Sequence, residues 1–251
     1  MYKKINVLIV VVVSGLFLIN CKSATKAAQS ENDDIYGKIF EAIKSNDESA
    51  FQKLVAEVNN LDTLITVNED EAYSILGYCC KYKRCLFAEK LLDMGANTNL
   101  VQTVMMYAFD ALSVALGREQ QDICLATLLL KRGCNPNAIY SEDGLTPLGV
   151  CCELGNYELS ELLIDFGANV NGNGYTEGTD YVFFPILLAI ESSNVKLVEL
   201  LIEKGANLDV CDTQGETPLS VARRTNNKEI ESILLKSLDL TDGEKEEIII
   251  N

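Results

Sequence analysis

Between residues 143 and 171 the apolar and polar positions alternate with the period of two short helices. Gly144 marks a turn, Thr146 can cap a helix, and Pro147 fits its first position. That helix runs to about Leu154, where Gly155-Asn156 turns the chain. A second helix places Leu159, Leu162, Leu163 and Phe166 on one face, and Gly167 closes it. An extended finger follows from Ala168-Asn169-Val170-Asn171. A hairpin this short cannot cover its own apolar face, so neighbouring copies are required.

The copies are legible. Gly95-Ala96-Asn97-Thr98-Asn99, Gly133-Cys134-Asn135-Pro136-Asn137 and Gly205-Ala206-Asn207-Leu208-Asp209 repeat the closing pattern. Leu91-Leu92, Leu128-Leu129 and Leu200-Leu201 repeat the apolar pair before it. Thr217-Pro218-Leu219 repeats the opening, and Phe184-Pro185-Ile186 does so more loosely. At a spacing near ~33 residues this resembles the ankyrin repeat. The resemblance implies an all-α solenoid of about six helix-turn-helix repeats with extended or β-hairpin fingers. The repeats fall at Ile35–Asn59, Ser74–Asn99, Asp110–Asn137, Asp143–Asn171, Phe184–Asp209 and Thr217–Lys236. The first lacks the closing glycine, as suits a terminal cap. In the third, Gly117 to Asp122 carries an extra residue or two.

The ends divide differently. Lys3 and Lys4 precede an apolar run from Ile5 to Ile19, which is shorter than the ~20 residues of a comfortable membrane span. It ends at Leu18-Ile19-Asn20-Cys21, which resembles a bacterial lipoprotein signal. The resemblance implies removal of residues 1–20, a diacylglycerol on Cys21 and a chain held outside the cytoplasm. Asn20 departs from the small residue usual at that place. Residues 21–34 read as the lipidated cysteine and a polar, flexible tether, 35–237 as the repeat domain and 238–251 as an acidic tail.

Composition narrows the function. The formal charge of -16 argues against nucleic acid; a basic protein partner is compatible with its sign, and solubility is the plainer reading of it. There is no histidine, which removes the commonest general base, the histidine-activated nucleophiles and most zinc centres. No phosphate-binding glycine loop is present, so an enzyme, a small-molecule substrate and a cofactor are not expected. Of nine cysteines, Cys79 and Cys151 fall where other repeats have Ala115, Ala189 and Ala222. They are expected to pack as small hydrophobes. A local Cys80–Cys85 bridge is the lesser alternative.

The ankyrin resemblance implies that a partner protein meets the finger tips and the exposed ridge of the inner helices. Two residues beyond the buried small position, that ridge carries Lys44, Lys81, Glu153, Glu191 and Arg224, with Arg118 close by. The fingers supply Met105, Met106 and Tyr107, then Glu142 and Asp143, then Tyr175 and Tyr181 in the longest loop, and Gln214 in the last. Tyrosines in an adaptable loop suit recognition. The function expected is a non-catalytic protein-binding module on a lipid anchor at the cell envelope. Two alternatives stand beside it: an immunity-type inhibitor of a basic toxin or hydrolase, and a structural or protective lipoprotein with no dedicated partner.

Overall fold

The structure is a computed structural model that describes residues 25–104, 107–118, 121–139, 144–172 and 183–238. Among these residues six helix pairs follow one another: α1 Thr25–Ser45 with α2 Glu48–Val55, α3 Ile75–Lys81 with α4 Cys85–Asp93, and α5 Ala111–Ala115 with α6 Ile123–Lys131. Then come α7 Pro147–Glu153 with α8 Tyr157–Asp165, α9 Pro185–Glu191 with α10 Val195–Glu203, and α11 Pro218–Arg224 with α12 Lys228–Ser237. The first helix of each pair forms an inner row and the second an outer row. Inner helices pack α1 on α3 on α5, and α7 on α9 on α11; between α5 and α7 the contact thins. The outer row continues across that joint through α6 and α8.

The caps explain why such short helices form. Ser74, Asp110, Thr146 and Thr217 each accept a hydrogen bond from the amide three residues on, and Thr217 completes a capping box with Ser220. Phe184 has no capping side chain, and Pro185 alone presets that first turn. The outer helices close on Gly95, Gly133, Gly167 and Gly205, all with φ between 87° and 93°, a left-handed geometry that glycine adopts without a Cβ clash.

The core is one continuous seam between the rows. Leu91, Leu129, Leu163 and Leu201 are fully buried at equivalent outer-helix positions. Cys79, Ala115, Cys151, Ala189 and Ala222 are fully buried at the inner-helix small position. Burial pushes the Cys151 thiol up to about 12, so it stays protonated and packs as a hydrophobe. Cys134 sits where Ala96 and Ala168 sit in their own repeats.

Among the described residues the strands lie in the fingers. β1 Ile65–Asn68 and β2 Glu71–Tyr73 form the first hairpin, β3 Gln102–Val104 and β4 Tyr107–Phe109 the second. All pairings are antiparallel and the order is β1-β2-β3-β4, so Ala72 opposite Thr103 joins the two fingers into one sheet. Gln102 of β3 lies over the start of α3, where its Oε1 accepts from the Ser74 amide at 3.1 Å. A β-carbon on Gly77 would overlap the Gln102 side chain, so close approach fixes glycine there.

Four features depart from or sharpen the reading of the sequence. First, α1 begins at Thr25, inside the stretch expected to be a flexible tether. Second, the opening repeat lacks the glycine but keeps the rest of the closing pattern as Asn60-Leu61-Asp62, in which the Asp62 amide donates to Asn60 Oδ1 at 3.0 Å. Third, the insertion in repeat three is two residues. The hydrogen bond that closes the inner-to-outer turn spans five residues at Arg84–Cys79 and Asn156–Cys151, but runs from the Asp122 amide to the Ala115 carbonyl. Fourth, Cys85 and Cys124 do not pack as thiols. They form a disulfide between α4 and α6, with Cα atoms 6.4 Å apart. The local Cys80–Cys85 pair does not form, because Cys80 points into the core as a buried free thiol.

Candidate protein-binding surface

Inner helices α3, α7, α9 and α11 end on the ridge residues Lys81, Glu153, Glu191 and Arg224, and most ridge charges meet a partner of opposite sign. Arg118 reaches Glu153 of the next repeat at 2.9 Å. Arg224 bridges Glu191 at 2.6 Å and Glu216 at 2.9 Å. Glu216, then Glu191, hold the Arg224 guanidinium still more firmly protonated than usual. Lys81 pairs with Glu71 of β2 at 2.9 Å and stands 4.7 Å from the centre of the Tyr73 ring. Burial opposes ionisation of Glu71, but Lys81, Asn68 and Tyr73 outweigh it and hold the carboxyl below its ordinary range.

These solvent-accessible pairs each contribute little to stability. Their larger effect is to hold long side chains in register along the groove. Along the ridge the sign runs from basic through Glu153 and Glu191 back to basic at Arg224, and most of these charges are neutralised in pairs. The seam between α7 and α9 differs: Glu153 turns to Arg118 on one side and Glu191 to Arg224 on the other.

A second row of contacts, invisible as a site in the sequence, binds the finger bases. The Asn97 amide donates to Asp62, that of Asn135 to Asn99, that of Asn169 to Asn137 and that of Asn207 to Asn171, over 2.7–3.2 Å. Asn99 and Asn137 also donate to the carbonyls of Gly133 and Gly167 in the following repeat. The first Asn of each Asn-x-Asn shapes its own turn, and the second reaches the next repeat. The spacing itself was the available signal.

Of the expected partner-binding residues, Glu153, Glu191 and Arg224 share the ridge. Gln214 is exposed in the last finger, next to the Glu216 that Arg224 grips, so that finger is tied to the ridge. Tyr107 lies in β4 opposite Val104. Cys21, Met105, Met106, Glu142, Asp143, Tyr175 and Tyr181 lie outside the described residues. Among the described residues no cluster of three or more acidic, cysteine or histidine side chains is placed to hold a metal. None of the described helices is long and apolar enough to cross a membrane.

Family models for ankyrin repeats match residues 143–174 and, as "Ankyrin repeats (3 copies)", residues 178–243. No curated protein sequence matches the chain. Similar solved structures include an ankyrin repeat domain from Acinetobacter baumannii at 24% identity, covering 79% of this chain and 96% of that one with a TM-score of 0.66. The human ASB11 ankyrin repeat domain is 24% identical over 79% of this chain and 82% of its own, with a TM-score of 0.60. The Bdellovibrio bacteriovorus complex of predatory endopeptidase Bd0816 with immunity protein Bd3460 matches at 21% identity, 79% and 97% coverage and a TM-score of 0.64. The chain carries ankyrin repeats and folds as an ankyrin-repeat solenoid. Such repeats are protein-interaction modules.

Proposed function

We propose that this chain is a protein-binding module tethered by a lipid on Cys21 at the outside of the cytoplasmic membrane or beyond, and that its partner docks on the ridge and finger tips. The observation that carries the reading is the ridge itself. Lys81, Glu153, Glu191 and Arg224 stand at equivalent places in their repeats, with Arg118 one residue beyond its own, and all five are held by ion pairs before a partner arrives. A surface ordered in advance loses less entropy on binding. The compartment is supported by the Cys85–Cys124 disulfide, since such bonds persist where the surroundings are oxidising.

The test has two arms. Intact mass of the purified mature chain is expected to show an acylated N-terminal Cys21, and an unmodified thiol there would remove the anchor. Replacing Tyr175→Ala with Tyr181→Ala is expected to abolish capture of the partner while leaving the thermal melt by circular dichroism unchanged. Retained capture would move the surface elsewhere.

A second reading is an immunity-type inhibitor of a basic toxin or hydrolase. It is favoured by the likeness to a structure in which an immunity protein is bound to an endopeptidase, and by the acidic charge of this chain. Under it, the captured complex weakens steeply with salt. A structural lipoprotein without a dedicated partner would instead yield no reproducible capture from envelope extracts.

A further inference from the structure

We propose that the outer edge of β1 is a docking site for an extended, cationic segment of a partner protein, which adds to the finger sheet as a fifth strand. The inference rests on the reading of this chain as a protein-binding module and names a surface separate from the ridge. In the order β1-β2-β3-β4, and among the described residues, β1 pairs on one side only, with β2. Thr66, Val67 and Asn68 are exposed, Val67 at 39%, and Leu64 just before them at 43%. An open strand edge of this kind presents backbone donors and acceptors to any second strand.

Proteins usually blunt such an edge with lysine, proline or a bulge. Here a bulge lies between Thr66 and Asn68, but residues 54–80 contain no lysine, arginine or proline. The same stretch holds Glu57, Asp62, Glu69, Asp70 and Glu71. Of these, Glu71 is matched by Lys81, and Asp62 accepts from the Asn97 amide. Glu57, Glu69 and Asp70 are exposed, and Glu69 and Asp70 form the turn at the end of β1. That charge decides the occupant. A second copy paired edge to edge would set these carboxylates against themselves, which is unfavourable across paired strands. An incoming strand with lysine or arginine at alternate positions meets them with opposite sign. Because the pairing of β2 with β3 already fixes the sheet, the edge needs no ordering of its own before it binds.

The experiment uses the full chain and three synthetic seven-residue peptides: alternating Lys and Val, the same with a central Pro, and alternating Glu and Val. Hydrogen exchange by mass spectrometry is expected to show the Lys/Val peptide slowing exchange over residues 62–72, with binding weakened at least tenfold by raising salt. The Pro and Glu/Val peptides are expected to leave that region unprotected. Glu69→Lys with Asp70→Lys, which touches no buried group, is expected to abolish protection while the melt is unchanged. Protection elsewhere, equal protection by the Glu/Val peptide, or none at millimolar peptide would overturn the proposal. So would a dimer of the peptide-free chain that disappears in Val67→Pro, which would assign the edge to a second copy. If protection fails while Tyr175- and Tyr181-dependent capture persists, the strand site is wrong and the module reading stands.

Discussion

In α1–α6 the seams between hairpins are closed by devices particular to each pair. Phe40 stacks on Tyr78 at 4.0 Å and Phe51 on Phe87 at 4.3 Å. Arg84 donates to the carbonyls of Ile43 and Lys44 at the end of α1. β2 pairs with β3, and a disulfide ties α4 to α6. In α7–α12 the seams use what each repeat carries as standard: Thr-Pro or Pro-led openings, aliphatic packing, the asparagine row and short polar links such as Asn194 to the Gly155 carbonyl at 2.7 Å. The family matches fall on this second half alone. The halves meet where the two-residue insertion sits and the inner-helix contact thins. There Arg118–Glu153 and Asn156–Gln121 cross the joint. A repeat fold can thus be held by locally encoded residues or by long-range pairs, and motif matching sees the first kind only.

The largest expected effect breaks the first half. Cys85→Ser with Cys124→Ser removes a link across 39 residues of sequence, for which loop closure gives an upper value of about 4 kcal/mol. Denaturant midpoints should fall on adding reductant to the wild type and not move in the double variant. A wild type indifferent to reductant would show that the staple adds nothing to stability.

Next is Asn137→Ala, on the row that both halves share. It deletes an acceptor for the Asn169 amide at 2.7 Å and a donor to the Gly167 carbonyl at 2.9 Å, a loss of about 1–2 kcal/mol. Urea unfolding should register it, with faster amide exchange in α7 and α8. If exchange rises only within α6, the row does not couple repeats.

Smaller still is Asp110→Asn. Burial raises the Asp110 carboxyl, against the pull of the Ser113 amide it caps, and its Oδ2 has no hydrogen-bond partner among the described residues. A carboxyl raised on folding stabilises fully below its unfolded pKa, and that stabilisation is lost as pH rises through the folded value. Asparagine caps as well without ionising. The variant should therefore equal the wild type in acid and exceed it at neutral pH, as thermal melts between pH 3 and pH 7 would reveal. Equal melting at all pH values would place the charge at no cost. Smallest is the joint pair: a double-mutant cycle on Arg118→Ala and Glu153→Ala should give a coupling below ~1 kcal/mol that fades with salt.

How much was legible follows the same division. Thr146-Pro147, the Gly-Ala-Asn signatures and the small positions at Cys79 and Cys151 identified the hairpins and their core from the sequence, because each is set within one repeat. The insertion before Asp122 was legible as a break in register. The disulfide was not, since Cys85 and Cys124 lie in different repeats and neither follows the repeat pattern. The Asn row was written in the sequence, but its partners lie one repeat away. On the ridge, Glu153, Glu191 and Arg224 came from register alone. Their pairing needed the rotation of one repeat on the next, which no spacing encodes. The start of α1 at Thr25 ran against a polar stretch without apolar period, which offered nothing to mark a helix.

The central claim is that the ridge and finger face grips another protein from a membrane-held position. It is tested most directly by crosslinking the full chain in its own envelope membrane and reading the adducts by mass spectrometry. One reproducible protein partner is expected, with crosslinks on the ridge and finger segments. Adducts confined to the outer helices, or no reproducible partner at all, would contradict it.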